Sequence, residues 1–321
     1  MHRLLTGIKP TGDIHLGNYL GCFKQVIELQ DQHECMFFIP DLHGLTTVKD
    51  GEIMRHNTLK LTAALIALGL DYQKHTFYKQ SSIPEVCELT WILSCLTPHG
   101  LLERAHAFKD AANKNKELNA GIFIYPVLMA ADIILYDAEI IPVGKDQKQH
   151  IEIARDLAQK FNHNYGETFT LPEGYIKEDV ETVIGLDGQK MSKSYNNVIP
   201  LFESDAKIKK AIMSITTDSK GLEEPKDPST CHIFKLYSYL ASPQEIQELQ
   251  NKYQTGNFGY GEAKKILLAK FHETFDEARA KYQTLLEKPA EIEQILEHGA
   301  KKARQIAKNK LEIIRKKIGV K

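Results

Sequence analysis

The sequence predicts a doubly wound, parallel-sheet α/β domain followed by an all-helical domain, and three observations carry that reading. The first half alternates short β-branched or aromatic runs with longer helical patterns, as parallel strands joined by helices do. From about Phe202 onward the strand signals vanish and Ala, Glu, Lys and Leu dominate. Between the halves lies 165–201, dense in Gly, Pro, Asp, Asn and Ser, which reads as a linker.

In chain order, the first strand is expected over 3–8, closed by a turn at Pro10–Gly12 that feeds a helix over 16–29. A second strand over 35–40 is followed by a helix over 52–70 with apolar residues at helical spacing. A third strand over 76–80 leads to a helix over 84–96 that starts with proline, a residue suited to a first helical turn. A helix over 125–136 precedes a fourth strand over 139–143. Long helical patterns cover 262–286 and 289–318, with breaks at Pro243, Gly256 and Pro289. The expected division is 1–186 for the α/β domain, 187–200 for a loop and linker, and 201–321 for the helical domain.

Composition bounds the function. With 321 residues, 42% apolar and 26% charged, the chain is in the globular range, with ample length for a core. The net charge of −1 gives no whole-chain attraction to nucleic acid, so any basic surface must be local. One is visible: 298–321 holds nine Lys or Arg against the single acid Glu312. This stretch reads either as a partner-binding face or as a solvated helix that packs back on the α/β domain. The cysteines Cys22, Cys35, Cys87, Cys95 and Cys231 form no CxxC pair and no zinc-like spacing, no cleavable leader is evident, and 59–70 is too short to span a membrane. A cytoplasmic location is the expectation.

Two phosphate motifs fail. Gly7 to Gly12 has the opening spacing of a P-loop, but Asp13-Ile14 comes next where Lys and Ser or Thr are needed, and neither GxGxxG nor HExxH occurs. The first strand runs instead into Lys9-Pro10-Thr11-Gly12-Asp13-Ile14-His15-Leu16-Gly17-Asn18. His15 and Asn18 lie three apart, on one face of a helix start whose dipole favours phosphate. Gly17, lacking a Cβ, would let a flat base or sugar approach the backbone. Far downstream, Lys190-Met191-Ser192-Lys193-Ser194 puts two lysines and two hydroxyls in the polar linker, suited to a triphosphate whose charge shifts during reaction.

The ordered pair of tracts, His-Leu-Gly-Asn after the first strand and Lys-Met-Ser-Lys-Ser after the nucleotide fold, resembles the two signatures of class I aminoacyl-tRNA synthetases. Further stretches resemble the tryptophanyl-tRNA synthetase family over effectively the whole chain: Asp41-Leu-His43, Asn119 to Asp132, Pro142 to Glu152, and Thr217-Asp218-Ser219. The resemblance implies a Rossmann-like catalytic domain, activation of L-tryptophan by ATP with Mg²⁺ carried on the nucleotide, transfer to tRNA(Trp), a helical anticodon-binding domain and a homodimer. It places His15, Asn18, Lys190 and Lys193 on the phosphates. It gives nucleotide contacts to Lys9, Pro10, Thr11, Gly17, Gly144, Lys145, Asp146, Val183, Met191, Ser192 and Ser194, and dedicates no residue to a metal. Gly144-x-Asp146-Gln147 opens a helix beyond the fourth strand; Gln147 and Tyr125 would hold the α-amino group, while Leu5, His43, Met129 and Val143 would wall the ring.

Asp132 matches the residue that reads the amino acid's side chain. Indole N–H only donates, so an acceptor-only carboxylate suits it, whereas a phenol calls for a mixed pair. Departures are Lys9, where glutamine is common, Leu5, where some members have phenylalanine, and Lys145, where an acid is usual; nucleotide affinity is therefore not carried over. The rival readings are a tyrosyl-tRNA synthetase and a non-catalytic paralogue that binds tRNA.

Overall fold

Short apolar runs with buried side chains favour parallel strands, and among the described residues four such runs and a fifth, exposed strand build one sheet. They are β1 (Arg3–Gly7), β2 (Glu34–Ile39), β3 (Thr76–Lys79), β4 (Ile140–Pro142) and β5 (Glu173–Tyr175), all parallel, in the order β3-β2-β1-β4-β5. The structure, a computed structural model, describes residues 2–10, 12–105, 108–109, 119–144, 147–175 and 182–321. Register sets Arg3 opposite Glu34 and Gly7 opposite Phe38. Successive residues serve opposite faces: Leu4, Phe37 and Phe77 enter one apolar core, and Leu5, Met36 and Tyr78 the other. The strand order reverses between β1 and β4, which opens a crevice beyond their carboxyl ends.

The α-helices given with bounds among the described residues are, in chain order, α1 (Leu16–Asn18), α2 (Lys24–Glu28), α3 (Asp41–Gly44), α4 (Gly51–Ala67), α5 (Glu85–Ser94), α6 (His99–Glu103), α7 (Ala120–Ile134) and α8 (Lys148–Tyr165). After them come α9 (Asp205–Met213), α10 (His232–Ser238), α11 (Pro243–Thr255), α12 (Tyr260–Leu286) and α13 (Pro289–Lys317). The single helix expected over 16–29 is instead α1 and α2 joined by a wider π turn, Tyr19–Phe23. α7 starts ahead of the expected 125 because Asn119 caps it, its Oδ1 accepting from the Ile122 N–H at 3.0 Å. α11 opens with Ser242 and Glu245 capping each other's main chain and Pro243 in the first turn. β5 lies inside 165–201, read from sequence as linker; its three residues are all exposed and carry no apolar signal.

α4 and α12 cover one face of the sheet, and α5, α7 and α8 the other. The sequence leaves α13 open between a partner-binding face and a helix that packs back on the α/β domain, and in the structure it packs back. Ile292, Ile295 and Leu296 join the first core, whereas Ala303, Ala307, Leu311 and Ile314 join the second, so the helix passes over the free edge of β3. Gly299 sits at the crossing, where a Cβ would fall 1.8 Å from the Phe77 carbonyl oxygen. Covering an edge strand in this way removes a template for unwanted pairing. Ion pairs fix the crossing: Glu293 to Lys79 at 3.0 Å, Arg304 to the buried Glu85 at 3.0 Å and Arg315 to Glu88 at 2.5 Å. Periodicity shows which side of α13 is apolar, but not the surface that receives it.

Candidate functional site

The crevice begins where β1 ends. Gly12 takes φ +86, a left-handed turn open to glycine, and the chain then enters α1 through His15 in extended conformation. Asn18 Oδ1 accepts from the His15 backbone N–H at 3.1 Å. Main-chain bonds from Leu16 N to Ile199 O (2.9 Å) and from Leu201 N to Ile14 O (3.0 Å) lash this turn to the segment after Lys-Met-Ser-Lys-Ser. Two tracts about 175 residues apart in sequence are therefore one structure. The Gly17 N–H points at Met191 Sδ, 3.1 Å away, and a Cβ on Gly17 would stand 3.0 Å from the His15 ring and 3.2 Å from Met191 Cβ. A Cβ at Gly17 would therefore crowd Met191 and the His15 ring, so this glycine lets the two tracts approach closely.

His15 is buried, and loss of hydration with the nearby Lys193 charge pushes its pKa down to about 4. At neutral pH it is an uncharged imidazole that can still donate. Lys193 reaches the same turn, its Nζ 3.7 Å from the Cβ position of Gly12. Burial lowers its pKa, the Asp13 carboxylate opposes that, and Lys60, paired to Asp13 at 2.8 Å, adds to it. Lys190 and Ser194 are exposed, and the Ser194 N–H donates to Ser192 Oγ at 3.3 Å. Val183 is buried, and its carbonyl accepts from the Met191 N–H at 2.9 Å.

Asn197, which spacing does not single out, organises this loop. Its Oδ1 accepts from the Ser192 N–H at 2.8 Å, while Nδ2 donates to Asp187 at 2.7 Å and to the Lys190 carbonyl at 3.1 Å.

Further along the crevice, Asp132 projects from α7 and is 3% exposed. Its carboxylate accepts from Gln80 Nε2, 2.8 Å from each oxygen, and meets His43 Nε2 at 2.9 Å. Burial raises its pKa, and the bonds from His43 and Gln80 counteract that. The Tyr125 hydroxyl and His150 Nε2 are 2.9 Å apart, and the Tyr125 ring meets the His43 ring edge-on at 6.0 Å. Lys9 Nζ stands 5.9 Å over the Tyr125 ring. Leu5 belongs to the apolar cluster on this side of the sheet, and Met129 and Val143 pack against that cluster. Gln147 caps α8, its N–H donating to the Gly144 carbonyl at 2.9 Å; Pro10 is buried beside the turn. Thr11, Lys145 and Asp146 lie outside the described residues.

Sequence reasoning missed Gln80 and His150, which are buried and bond Asp132 and Tyr125. Both had a signal. Gln80 ends the third expected strand, at the sheet edge where ligands bind in open α/β folds, and His150 lies three residues after Gln147 on one helix face.

A family model described as tRNA synthetases class I (W and Y) matches residues 1–276. A tryptophan–tRNA ligase of Campylobacter jejuni is 50% identical over 318 residues, covering 99% of this chain and all of the relative. Another from Rhodopirellula baltica is 50% identical over 318 residues, with 99% of each chain covered. A crystal structure of tryptophanyl-tRNA synthetase from C. jejuni, complexed with ADP and tryptophan, superposes with a TM-score of 0.96 at 50% identity, over 99% of both chains.

Proposed function

The chain belongs to the class I tRNA synthetases of the tryptophan and tyrosine group, within its tryptophan–tRNA ligases, and on that premise we propose how its residues divide the work. It activates tryptophan with ATP to the aminoacyl-adenylate and charges tRNA. No side chain acts as nucleophile: the substrate carboxylate attacks the α-phosphate, and the protein positions the reactants and stabilises charge. His15 and Asn18 meet the phosphates as neutral donors, and Lys193 and Lys190 bring positive charge on the loop. The family resemblance assigns Gly144, Lys145 and Asp146 to the nucleotide, with Mg²⁺ arriving on ATP. Gln147 and Tyr125 receive the α-amino group, and Leu5, His43, Met129 and Val143 wall the ring.

One observation carries the amino-acid assignment: Asp132, a buried carboxylate fixed by two donors at the end of an apolar cluster. A carboxylate only accepts, and indole N–H only donates. A phenol needs both roles from its partners, so the tyrosine alternative is disfavoured. The test is amino-acid-dependent pyrophosphate exchange across all twenty amino acids, with Asp132→Ala beside the parent. Tryptophan alone should support full exchange, and the variant should lose discrimination by up to about 10⁴-fold while its ATP dependence holds. Equal exchange with tyrosine in the parent refutes the assignment.

The unit 1–186 with the loop 187–200 is the catalytic part in this reading, and the helices α9 to α12 within 201–321 receive the anticodon arm of tRNA(Trp). A homodimer is supported by apolar exposure on one side: Trp91 is 71% exposed on α5, near a groove lined by Leu45, Cys87 and Ile124. A cytoplasmic location agrees with free thiols at all five cysteines. Among the described residues no helix is long and apolar enough to cross a membrane.

A further inference from the structure

Gln80 directly follows β3 and is 1% exposed. Its amide nitrogen lies 2.8 Å from both oxygens of Asp132, and its amide oxygen accepts from the His43 backbone N–H at 3.4 Å. His43 closes the ring through Nε2, 2.9 Å from Asp132 Oδ2. The amide has only one workable orientation. Turned over, its oxygen would oppose the carboxylate and its NH₂ would oppose an N–H. Three elements distant in sequence, α3, the turn after β3 and α7, thus converge on one carboxylate.

We propose that Gln80 is a specificity-determining positioning residue, which holds Asp132 as an acceptor-only group so that the pocket takes an aromatic ring bearing N–H and rejects a phenol. The inference rests on the assignment of Asp132 to the tryptophan ring. A carboxyl this deeply buried tends to take up a proton, and donors directed at it keep it ionised. Once protonated it would donate as well as accept, and so present the mixed character that suits a phenol. The groups facing Asp132 are His43 and Asp41 from α3, Tyr78 from β3, Cys87 from α5 and Tyr136 beyond the end of α7. Asp41, Tyr78, Cys87 and Tyr136 bring no positive charge, which leaves Gln80 and His43 as the groups whose bonds hold the anion.

The experiment uses the full chain with Gln80→Met, an apolar residue of similar length, and Gln80→Glu, which sets a second carboxyl beside the first. Pyrophosphate exchange with tryptophan and tyrosine, tryptophan binding from about pH 6 to about pH 9 and thermal unfolding are measured for each. Both variants should raise the KM for tryptophan about 10- to 100-fold, the size expected for a lost bond to a charged group, with kcat and the KM for ATP within about fivefold. Their tryptophan affinity should improve as pH rises and the Asp132 proton leaves, more steeply in Gln80→Glu, where two carboxyls share a proton. The parent should be flat over the same range.

A parent-like KM and tryptophan preference in both variants would overturn the proposal. So would a loss equal at every pH that takes ATP binding and melting temperature down together, since that marks a purely structural residue. Asp132→Asn separates the two levels of inference. If it keeps the parent's discrimination against tyrosine, the assignment of Asp132 fails and this proposal with it. If it loses discrimination while the Gln80 variants do not, the assignment stands and only the role of Gln80 falls.

Discussion

Gly299→Ala sets helix propensity against packing, and the structure decides the sign. Alanine is the better helix former by about 1 kcal/mol, so propensity alone predicts a gain. The new Cβ, however, would lie 1.8 Å from the Phe77 carbonyl oxygen, 2.6 Å from its carbon and 2.9 Å from its nitrogen. Carbon–oxygen contacts between backbones close to about 3.3 Å, so α13 would have to retreat by roughly 1.5 Å. The obstacle is main chain and cannot rotate aside. Retreat also loosens Leu296 and Ala303, which anchor the helix on either side of the crossing. Overpacking costs about 1–3 kcal/mol, and a backbone obstacle puts this case at the upper end even after the propensity gain. At roughly 2–4 °C per kcal/mol, melting should fall by about 6–12 °C. Gly261→Ala is the control: it also lies in a helix, α12, but its Cβ meets nothing within 4 Å, so it should be neutral or slightly stabilising. If Gly299→Ala melts at or above the parent while Gly261→Ala behaves as expected, α13 does not press on β3 at this crossing.

The same geometry fixes three further outcomes. Arg304→Glu should lower the melting temperature, because it leaves the buried Glu85 facing a second carboxylate, whereas Lys301→Glu with Lys302→Glu, both exposed, should leave unfolding and pyrophosphate exchange near parent values; equal melting in all of them would contradict the docking of α13. Lys193→Ala should slow single-turnover adenylate formation by about 10²–10³-fold with tryptophan binding unchanged, and an unaltered rate would remove the loop from the chemistry. His15, with its folded pKa near 4 and below the unfolded value, binds fewer protons folded than unfolded between about pH 4 and 6.5, so its contribution to stability is lost as pH falls through that window. Urea unfolding of His15→Gln should show a shallower pH dependence there than the parent, and identical slopes would contradict the buried neutral imidazole.

Legibility in the sequence tracked the presence of a buried apolar pattern. β1 to β4 announced themselves because parallel strands bury both faces, and α12 and α13 because a helix docked on a core repeats its apolar residues. β5 did not: Glu173–Tyr175 pairs with β4 through main-chain bonds, with every side chain exposed. The docking of α13 was open to two readings, since most of its lysines face solvent in either case, while Lys310 turns inward to Asp137 and the Thr168 carbonyl. At the site, Asp132 stood out as an acid within an apolar helix. Gln80 and Asn197 stayed hidden because their roles are hydrogen bonds to partners 52 residues and five to ten residues away, and an amide side chain has no spacing rule that marks such partners.

The protonation states of the site carry a further consequence for how charge reaches the phosphates in the proposed assignment. The fixed turn offers His15 as a neutral donor, kept uncharged by burial and by Lys193 itself. Positive charge near that turn comes instead from Lys193, carried by a segment tied down through Asn197 and through the bonds that join Ile14 and Leu16 to the residues after it. A second cation at position 15 would repel Lys193, so a neutral imidazole is what allows the lysine to sit this close to Gly12. Each signature therefore needs the other. The first tract supplies an anchored, uncharged cradle, the second supplies the charge, and the contact of Gly17 with Met191 sets the distance between them.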